Sequence, residues 1–260
     1  MSDLQHPHSR SFELVADVYE RARPEYPAEA VAWIAEELEL REGRTVLDLG
    51  AGTGKLTRAL VHTGARVIAV EPGQAMLGEL RRVLPDVEAS LGGAEAIPLV
   101  DDSVDAITVG QAFHWFRPDE AVPELHRVLR PGGAVALIWN SRDQKRPLQQ
   151  EISELIKQLV PRGRPPVGHS ANALEESELF GPVEKRTFPL IQQLDADAVA
   201  ERIASVSFVA AAPVDVREEL DRKLREIVAG QGGLVDFAYV TEVYVARVRV
   251  GSMRRQSRRV

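Results

Sequence analysis

Residues 46–54 read VLDLGAGTG, an apolar run that leads directly into three alternate glycines. The apolar half has the character of a strand that is buried on both faces of a parallel sheet. Gly50, Gly52 and Gly54 follow at the junction with a helix, where glycine allows a sharp turn and a close approach of the backbone to a ligand. The stretch therefore predicts a nucleotide-binding loop at the carboxyl end of a strand in an α/β sheet.

The spacing of the glycines distinguishes this loop from a dinucleotide-binding loop. A loop that binds a pyrophosphate normally reads G-x-G-x-x-G, whereas this one reads D-x-G-x-G-x-G, with Asp48 ahead of the glycines. The acidic residue favours a ligand that carries a positive group. Glu71, at the end of the next apolar run, is placed to accept both ribose hydroxyls of a nucleoside. The alternative is an acid that begins the helix after Pro72.

The segments around the loop alternate between strand and helix. Apolar runs predict strands at 45–49, 66–70, 87–91, 104–109 and 134–139, and helical spacing predicts helices at 28–40, 54–63, 74–84 and 119–130. After Trp139 the rhythm changes, with helices expected at 148–160, 196–206 and 214–229 and strands at 183–191 and 235–248. The pattern predicts an α/β fold with a Rossmann-like, doubly wound, mostly parallel seven-stranded sheet, an antiparallel edge and a helical cap.

The same pattern divides the chain into five parts. We expect an N-terminal helical lid at 1–42, the Rossmann-like core at 43–141, and the helical cap at 142–234, with one sheet strand near 183–191. A final sheet strand at 235–250 and a solvated basic tail at 251–260 complete the prediction.

Composition narrows the possible functions. The chain has no cysteine, which excludes disulfides, thiolate metal sites and a cysteine nucleophile, and no histidine spacing indicates a metal site. The net charge of -7 disfavours a nucleic-acid partner. Neither a signal peptide nor a membrane span is evident. We therefore expect a cytoplasmic protein, a monomer or homodimer, that acts on a small molecule without a nucleic-acid or membrane partner.

Four segments together resemble a known family: VLDLGAGTGKLT at 46–57, VEPGQAML at 70–77, GGAEAIPLVDDSVDAITVGQAFHWF at 92–116 and HRVLRPGGAVALIWN at 126–140. They are similar to the type 11 methyltransferase domain of the class I S-adenosylmethionine-dependent methyltransferases, from about residue 12 to 142. The resemblance implies that S-adenosylmethionine is the cofactor and S-adenosylhomocysteine the product. YERARPEYP at 19–27 and QAFHWF at 111–116 resemble, more weakly, the branch that contains trans-aconitate methyltransferase, whose members esterify small carboxylic acids.

The resemblance implies which residues bind the cofactor. It places the glycine loop and Asp48 near the methionine moiety, Glu71 on the ribose, Ala94 and Glu95 beside the adenine, and Gln111 beside the methyl group. The complete predicted set is Tyr19, Arg23, Asp48, Gly50, Ala51, Gly52, Gly54, Glu71, Pro72, Met76, Ala94, Glu95 and Gln111.

Three members of this set have alternatives. Met76 either lies on the adenine face or belongs to the core. Arg23, with Tyr19, either pairs with the cofactor carboxylate or holds an acidic acceptor, and it could also be an ordinary surface arginine. Many family members read G-D-A-E where this chain has Gly93 before Ala94, so the usual carboxylate contact to the adenine amino group is missing.

The acceptor side is less well defined by the sequence. His114 follows the fourth strand and is the candidate catalytic base, and the alternative is a structural histidine packed among aromatic residues. Tyr26, Trp115 and Arg142 are candidate acceptor-binding residues. A carboxylic acid with a pKa of about 4 needs no base at pH 7, whereas a phenol with a pKa of about 10 does.

We predict an in-line methyl transfer to a small molecule, at a carboxylate or hydroxyl oxygen. The alternatives are N- or C-methylation of a small metabolite, a nicotinamide-dependent oxidoreductase, and a binding module without catalytic activity.

Overall fold

A seven-stranded sheet forms the centre of the computed structural model, which describes residues 23–160 and 171–249. The strands lie in the order β3-β2-β1-β4-β5-β7-β6. β1 to β5 pair in parallel, and β7 runs antiparallel to both of its neighbours. This confirms the predicted fold class. The strands are β1 Thr45–Leu49, β2 Arg66–Glu71, β3 Glu88–Leu91, β4 Val104–Gly110, β5 Leu129–Arg142, β6 Glu184–Asp195 and β7 Leu234–Arg247.

Helices cover both faces of the sheet and build the cap. One apolar cluster fills each side of the sheet. No helix of the described residues is long and apolar enough to cross a membrane. The helices are α1 Ala28–Glu37, α2 Lys55–Val61, α3 Gln74–Val83, α4 Pro118–Val128, α5 Pro147–Lys157, α6 Asn172–Glu175, α7 Ala196–Ala204, α8 Ser207–Ala210 and α9 Val214–Gly230, and a 3₁₀ turn spans Phe113–Trp115.

Strand β5 is longer at both ends than the expected 134–139. At its start, the register against β4 jumps between the pairs Val104–Leu129 and Ala106–Ala134, and this irregularity accommodates the Pro-Gly-Gly segment that ends α4. At its end, pairing with β7 continues to Arg142, which lies opposite Tyr239. The extension carries Arg142 to the carboxyl edge of the sheet.

Strand β6 is also longer than its apolar run indicated, whereas β7 has the predicted length and begins one residue earlier. β6 continues to Asp195, beyond the expected end at 191, because its whole length pairs with β7. Residues 234–238 of β7 pair with β6 alone, since pairing with β5 begins only at Tyr239. The two strands therefore extend as a ribbon past the carboxyl end of β5, and the cap packs on this ribbon.

The cap has an apolar core of its own. Apolar side chains from α5, α7 and α9 pack there with Phe237 and Tyr239 of β7. Of the predicted lid at 1–42, residues 1–22 lie outside the described residues, and α1 buries Ala30 and Ile34 in the cluster on one face of the sheet. The predicted tail at 251–260 also lies outside the described residues.

Candidate functional site

A cleft lies at the carboxyl ends of β1 and β4. These strands are neighbours at the point where the strand order reverses, and ligands of doubly wound sheets bind in such a crevice. The cleft encloses about 470 Å³ of space, part of which is open to solvent. Its walls are formed by Arg23, Pro24, Tyr26, Asp48, Gly50, Ala51, Gly52, Thr53, Lys55, Leu56, Gly110 and Gln111. We call it the donor cleft.

Two glycines of the loop have different roles. Gly50 has φ +70°, and a Cβ there would lie 2.7 Å from Cβ of Ala112, so packing against the neighbouring loop excludes a side chain. Gly52 has φ +58°, and nothing lies within 4 Å of the position its Cβ would take. Open space beside a left-handed glycine in a cleft wall is what close approach of a ligand requires. The loop therefore fits a bound nucleoside cofactor at Gly52.

Glu71 is held against the loop by backbone amides. It is buried, and its carboxylate oxygens accept hydrogen bonds from the N–H groups of Gly52 and Gly73, at 2.8 Å each. An ionised carboxylate has about four lone-pair positions, so both oxygens can accept further bonds. The acid expected to bind ribose therefore lies next to the loop in a fixed orientation. Its contact with ribose stays a prediction, as does that of Pro72, which follows it.

Asp48 is fully buried at the floor of the cleft. Thr57 Oγ1 donates a hydrogen bond to Oδ2 of Asp48 at 2.6 Å, and Thr108 Oγ1 donates to Oδ1 at 3.2 Å. Burial raises the pKa of Asp48 to about 6, although both hydroxyl donors lower it. The position favours a cationic ligand group, which would restore charge balance. Sequence reasoning missed both threonines, and their signal is a hydroxyl residue within a buried apolar segment.

The segment before α1 is fixed across the cleft. Glu25 forms ion pairs with Lys55 at 3.0 Å and Arg58 at 3.3 Å, and its carbonyl accepts a hydrogen bond from the amide of Asn140 at 3.2 Å. Tyr26 Oη lies 2.6 Å from the position that a Cβ of Gly110 would take. These contacts bring the predicted residues Arg23 and Tyr26 to the cleft. Tyr19 lies outside the described residues.

Gln111 adopts a backbone conformation that is unusual for a residue other than glycine. Its φ is +57°, and its N–H donates to the carbonyl of Ile138 at 2.9 Å. Its side-chain amide donates to the carbonyl of Asn140 at 3.3 Å. Such a conformation costs about 1–3 kcal/mol and is found most often at functional sites. The strained turn directs Gln111 into the cleft wall, where its contact with the methyl group was predicted.

The residues predicted beside the adenine follow β3. Ala94 and Met76 are both buried, so both alternatives for Met76 stay open. One carboxylate oxygen of Glu95 accepts a hydrogen bond from the N–H of Arg117 at 2.9 Å, which ties this loop to the start of α4. A Cβ on Gly93 would lie 3.3 Å from the other oxygen of Glu95, Oε2. The adenine contacts of Ala94 and Glu95 stay predictions.

His114 lies in an aromatic environment. Nε1 of Trp139 donates to Nδ1 of His114 at 3.4 Å, and the rings of His114 and Trp115 lie 4.7 Å apart. Within the described residues, neither His114 nor Trp115 belongs to the wall of the donor cleft. Because Nδ1 accepts a hydrogen bond, the proton of the neutral imidazole resides on Nε2, which is then no acceptor. The geometry favours the structural alternative, and a catalytic role for His114 stays a prediction.

Arg142 lies at the end of β5, beside Tyr239 rather than in the cleft wall. It is partly buried, and burial lowers the pKa of its guanidinium. The positive charge of Arg23, which does line the cleft, also lowers the pKa of Arg142. The structure thus places Arg142 at the junction of the sheet and the cap. Within the described residues, no cluster of histidine and carboxylate groups could hold a metal ion.

Comparisons with known proteins agree with this geometry. A family model described as a methyltransferase domain matches residues 47–137. An uncharacterized methyltransferase of Mycobacterium tuberculosis is 41% identical over 228 residues, which cover 88% of this chain and 89% of that protein. An uncharacterized methyltransferase of Schizosaccharomyces pombe is 36% identical over 242 residues, which cover 90% and 96%.

A solved structure shares the fold. It is that of a protein from Anaeromyxobacter dehalogenans assigned as a type II methyltransferase, which superposes with a TM-score of 0.66 at 24% identity over 87% of this chain and 97% of that one.

Proposed function

We propose that this chain, which belongs to the class I S-adenosylmethionine-dependent methyltransferase family, methylates a carboxylate oxygen of a small molecule. Membership of this family argues against the alternative of a nicotinamide-dependent oxidoreductase. The observation that carries the proposal is the chemistry beside Gln111. Arg23 lies in the same cleft wall, and within the described residues the best candidate base, His114, is engaged with Trp139. A carboxylate is already ionised at pH 7 and needs no base.

The residues of the donor cleft would hold the cofactor in a definite orientation. S-adenosylmethionine supplies an electrophilic methyl group on a positively charged sulfur. Glu71 would accept hydrogen bonds from the ribose hydroxyls, and Gly52 leaves room for the backbone to approach the ligand. Asp48 would balance positive charge near the methionine part. Arg23 and Gln111 then border the end of the cleft where the methyl group would be transferred.

Catalysis under this proposal rests on position rather than on proton transfer. The acceptor oxygen must lie in line with the breaking bond, with the reacting atoms about 3 to 3.5 Å apart. Two parts of the cleft wall would support this alignment. They are the turn at Gln111 and the segment before α1, which is held in place by the contacts of Glu25. The acceptor carboxylate would supply the electron pair for the new bond to the methyl carbon, and the pair of the methyl–sulfur bond would stay on sulfur.

A label-transfer assay tests the proposal. The purified full chain is incubated with methyl-labelled S-adenosylmethionine and separate pools of carboxylic acids, phenols and amines. We expect label in the carboxylic acid pool, released by mild alkali as labelled methanol, because esters hydrolyse under these conditions whereas ethers and methylamines do not. Label that resists alkali would overturn the proposal in favour of N-, C- or ether methylation. Absence of transfer to any pool would favour a module without catalytic activity.

A further inference from the structure

Three arginines surround one tyrosine where the end of β5 meets the cap. Arg202 of α7 donates hydrogen bonds to Tyr239 Oη at 2.6 Å and to Gln192 Oε1 at 2.9 Å. Arg142 lies opposite Tyr239 in the β5–β7 register. Arg23 donates to the carbonyl of Ser205, just after α7, at 3.1 Å. We call Arg23, Arg142, Arg202 and Tyr239 the arginine cluster.

Within the described residues, no acid balances the charges of Arg142 and Arg202. Arg142 and Arg202 form no ion pair there, although Arg202 is only 8% exposed. The charge of Arg23 adds to burial in lowering the pKa of Arg142. Burial raises the pKa of Tyr239 despite all three arginines, so its hydroxyl keeps its proton at neutral pH. Buried charges without a partner cost several kcal/mol each, which an anionic ligand would offset.

Polar atoms without partners mark the same region. Among the described residues, Arg142 Nη1, Arg202 Nε and Ser141 Oγ are buried and make no hydrogen bond. Gln149 of α5 is fully buried, and neither Oε1 nor Nε2 of its amide has a partner. Its neighbour Leu148 packs in the same apolar core as Tyr239. Each such buried group costs about 1–3 kcal/mol, so a group of them at one junction indicates a polar ligand.

The arginine cluster is continuous with the donor cleft. Arg23 belongs to both, since it lines the cleft and reaches the end of α7. Gln111, also in the cleft wall, donates to the carbonyl of Asn140, the residue before Ser141. Arg23 and the Gln111–Asn140 contact thus connect the wall of the donor cleft with the end of β5 that carries Arg142.

We propose that the arginine cluster binds a second oxyanion of the acceptor, a carboxylate or phosphate that is not itself methylated. This inference rests on the proposed function and adds a substrate class, namely small molecules with at least two anionic groups. Arg142 would pair with the oxyanion through its guanidinium N–H groups, and the Tyr239 hydroxyl would donate to it. Arg142 and Arg202 are then the residues that determine specificity, while the donor cleft binds the cofactor without them.

Binding of small anions tests the inference without catalysis. The full chain, saturated with S-adenosylhomocysteine, is titrated in calorimetry with glutarate, butyrate and inorganic phosphate. We expect glutarate to bind more tightly than butyrate, because only glutarate has a second carboxylate. Arg142→Met should raise the Kd for glutarate by about 30-fold or more. Phosphate binding that exceeds glutarate binding and depends equally on Arg142 would identify the anchored group as a phosphate.

A control variant and a second measurement keep this test decisive. Arg146 is an exposed arginine in the loop between β5 and α5, and it pairs with Asp143. Arg146→Met should leave glutarate binding unchanged. Arg142→Met should also raise the Tm of the ligand-free protein, because it removes a partly buried charge without an acid partner in the described residues. Glutarate binding that is equal in Arg142→Met, Arg146→Met and the unmodified chain overturns the inference.

The two proposals can fail separately. Glutarate binding that depends on Arg142, without alkali-labile methyl transfer to any acid, would support the arginine cluster and overturn ester formation. Methyl ester formation on monocarboxylates and dicarboxylates with equal kcat/KM, unaffected by Arg142→Met, would support ester formation and overturn the role of the cluster.

Discussion

The donor cleft and the arginine cluster differ in two respects. They carry buried groups of opposite charge, and, in the part of the chain that the structure describes, only in the cleft do those groups have hydrogen-bond partners throughout. In the cleft, the carboxylates of Asp48 and Glu71 each accept at least two hydrogen bonds from the protein. In the cluster, buried donors of Arg142 and Arg202 have no acceptor among the described residues. The protein supplies donors to both carboxylates of the first region, whereas its described residues leave donors of the second region without an acceptor. This difference matches a cationic methyl donor on one side and an anionic acceptor on the other.

The largest effect we expect within the cleft follows removal of Glu71. Glu71→Ala deletes a charged acceptor for the ribose hydroxyls and releases the amides of Gly52 and Gly73. Hydrogen bonds to charged groups contribute about 1.5–3 kcal/mol each, so the Kd for S-adenosylhomocysteine should rise about 100-fold or more. Calorimetry measures this change.

The control for Glu71 is an acid on the neighbouring strand. Glu88→Ala removes an exposed carboxylate that pairs with Arg66, and it should leave the affinity unchanged. If Glu71→Ala binds S-adenosylhomocysteine as tightly as Glu88→Ala does, the ribose assignment is wrong. The cleft could then no longer be described as preformed for the methyl donor.

A methyl group at Gly52 should have the next largest effect. Gly52→Ala meets no protein atom within 4 Å but imposes a side chain on φ +58°, so stability should fall by about 1–2 kcal/mol. Affinity for S-adenosylhomocysteine should fall about tenfold or more, because the methyl group occupies space left for the ligand. Thermal denaturation and calorimetry separate the two losses.

Gly78 provides the matched control. It also faces open space, but it lies inside α3 without a positive φ. Gly78→Ala should stabilise the protein by about 0.5–1 kcal/mol and leave ligand affinity unchanged. Equal affinity in Gly52→Ala and the unmodified chain would show that the ligand does not approach this part of the loop.

The sequence predicted the fold of the region whose residues are close together in the chain. The cleft wall is built mainly by consecutive residues 48–56, and the glycine spacing and strand context fix the course of its backbone. Arg23, Arg142, Arg202 and Tyr239 meet only because the β6–β7 ribbon extends past the sheet and carries the cap over its edge. No short pattern encodes that approach.

A signal for the arginine cluster was nevertheless present in the chain. Arg202 interrupts the apolar face that Val199 and Ile203 form in α7, and Gln149 lies between Leu148 and Ile152 on the buried face of α5. A polar residue inside an apolar helical stripe indicates either a buried partner or a ligand. Sequence alone does not distinguish the two, because the partner would lie on another element.

A pH effect should sharpen the electrostatic part of the comparison. The pKa of Asp48 is about 6 in the folded protein and about 4 in the unfolded chain. The folded state therefore binds more protons between these values, and stability should fall by about 2 kcal/mol as the pH rises from 4 to 6. A cationic ligand favours the ionised form, so affinity for S-adenosylmethionine should fall, by up to about tenfold per pH unit, as the pH drops below 6.

Asp48→Asn isolates this group. The amide oxygen can still accept a hydrogen bond from Thr57 or Thr108, but the charge is gone. The variant should lose the fall in stability between pH 4 and 6, and its affinity for S-adenosylmethionine should become independent of pH in that range. An unchanged pH dependence of both quantities would show that another group titrates and that Asp48 does not balance the ligand charge.

The smallest effect should come from substitution of His114. His114→Asn places an amide oxygen where Nδ1 accepts from Trp139 Nε1, and it removes any imidazole base. A carboxylate acceptor is already ionised, so kcat/KM should change by less than about twofold and the pH profile should keep its shape. Loss of a general base would instead cost about 100-fold or more. Such a loss would indicate that the acceptor is a hydroxyl group. The positive charge of the arginine cluster would then explain how the acceptor binds, but it would not identify the methylated atom as a carboxylate oxygen.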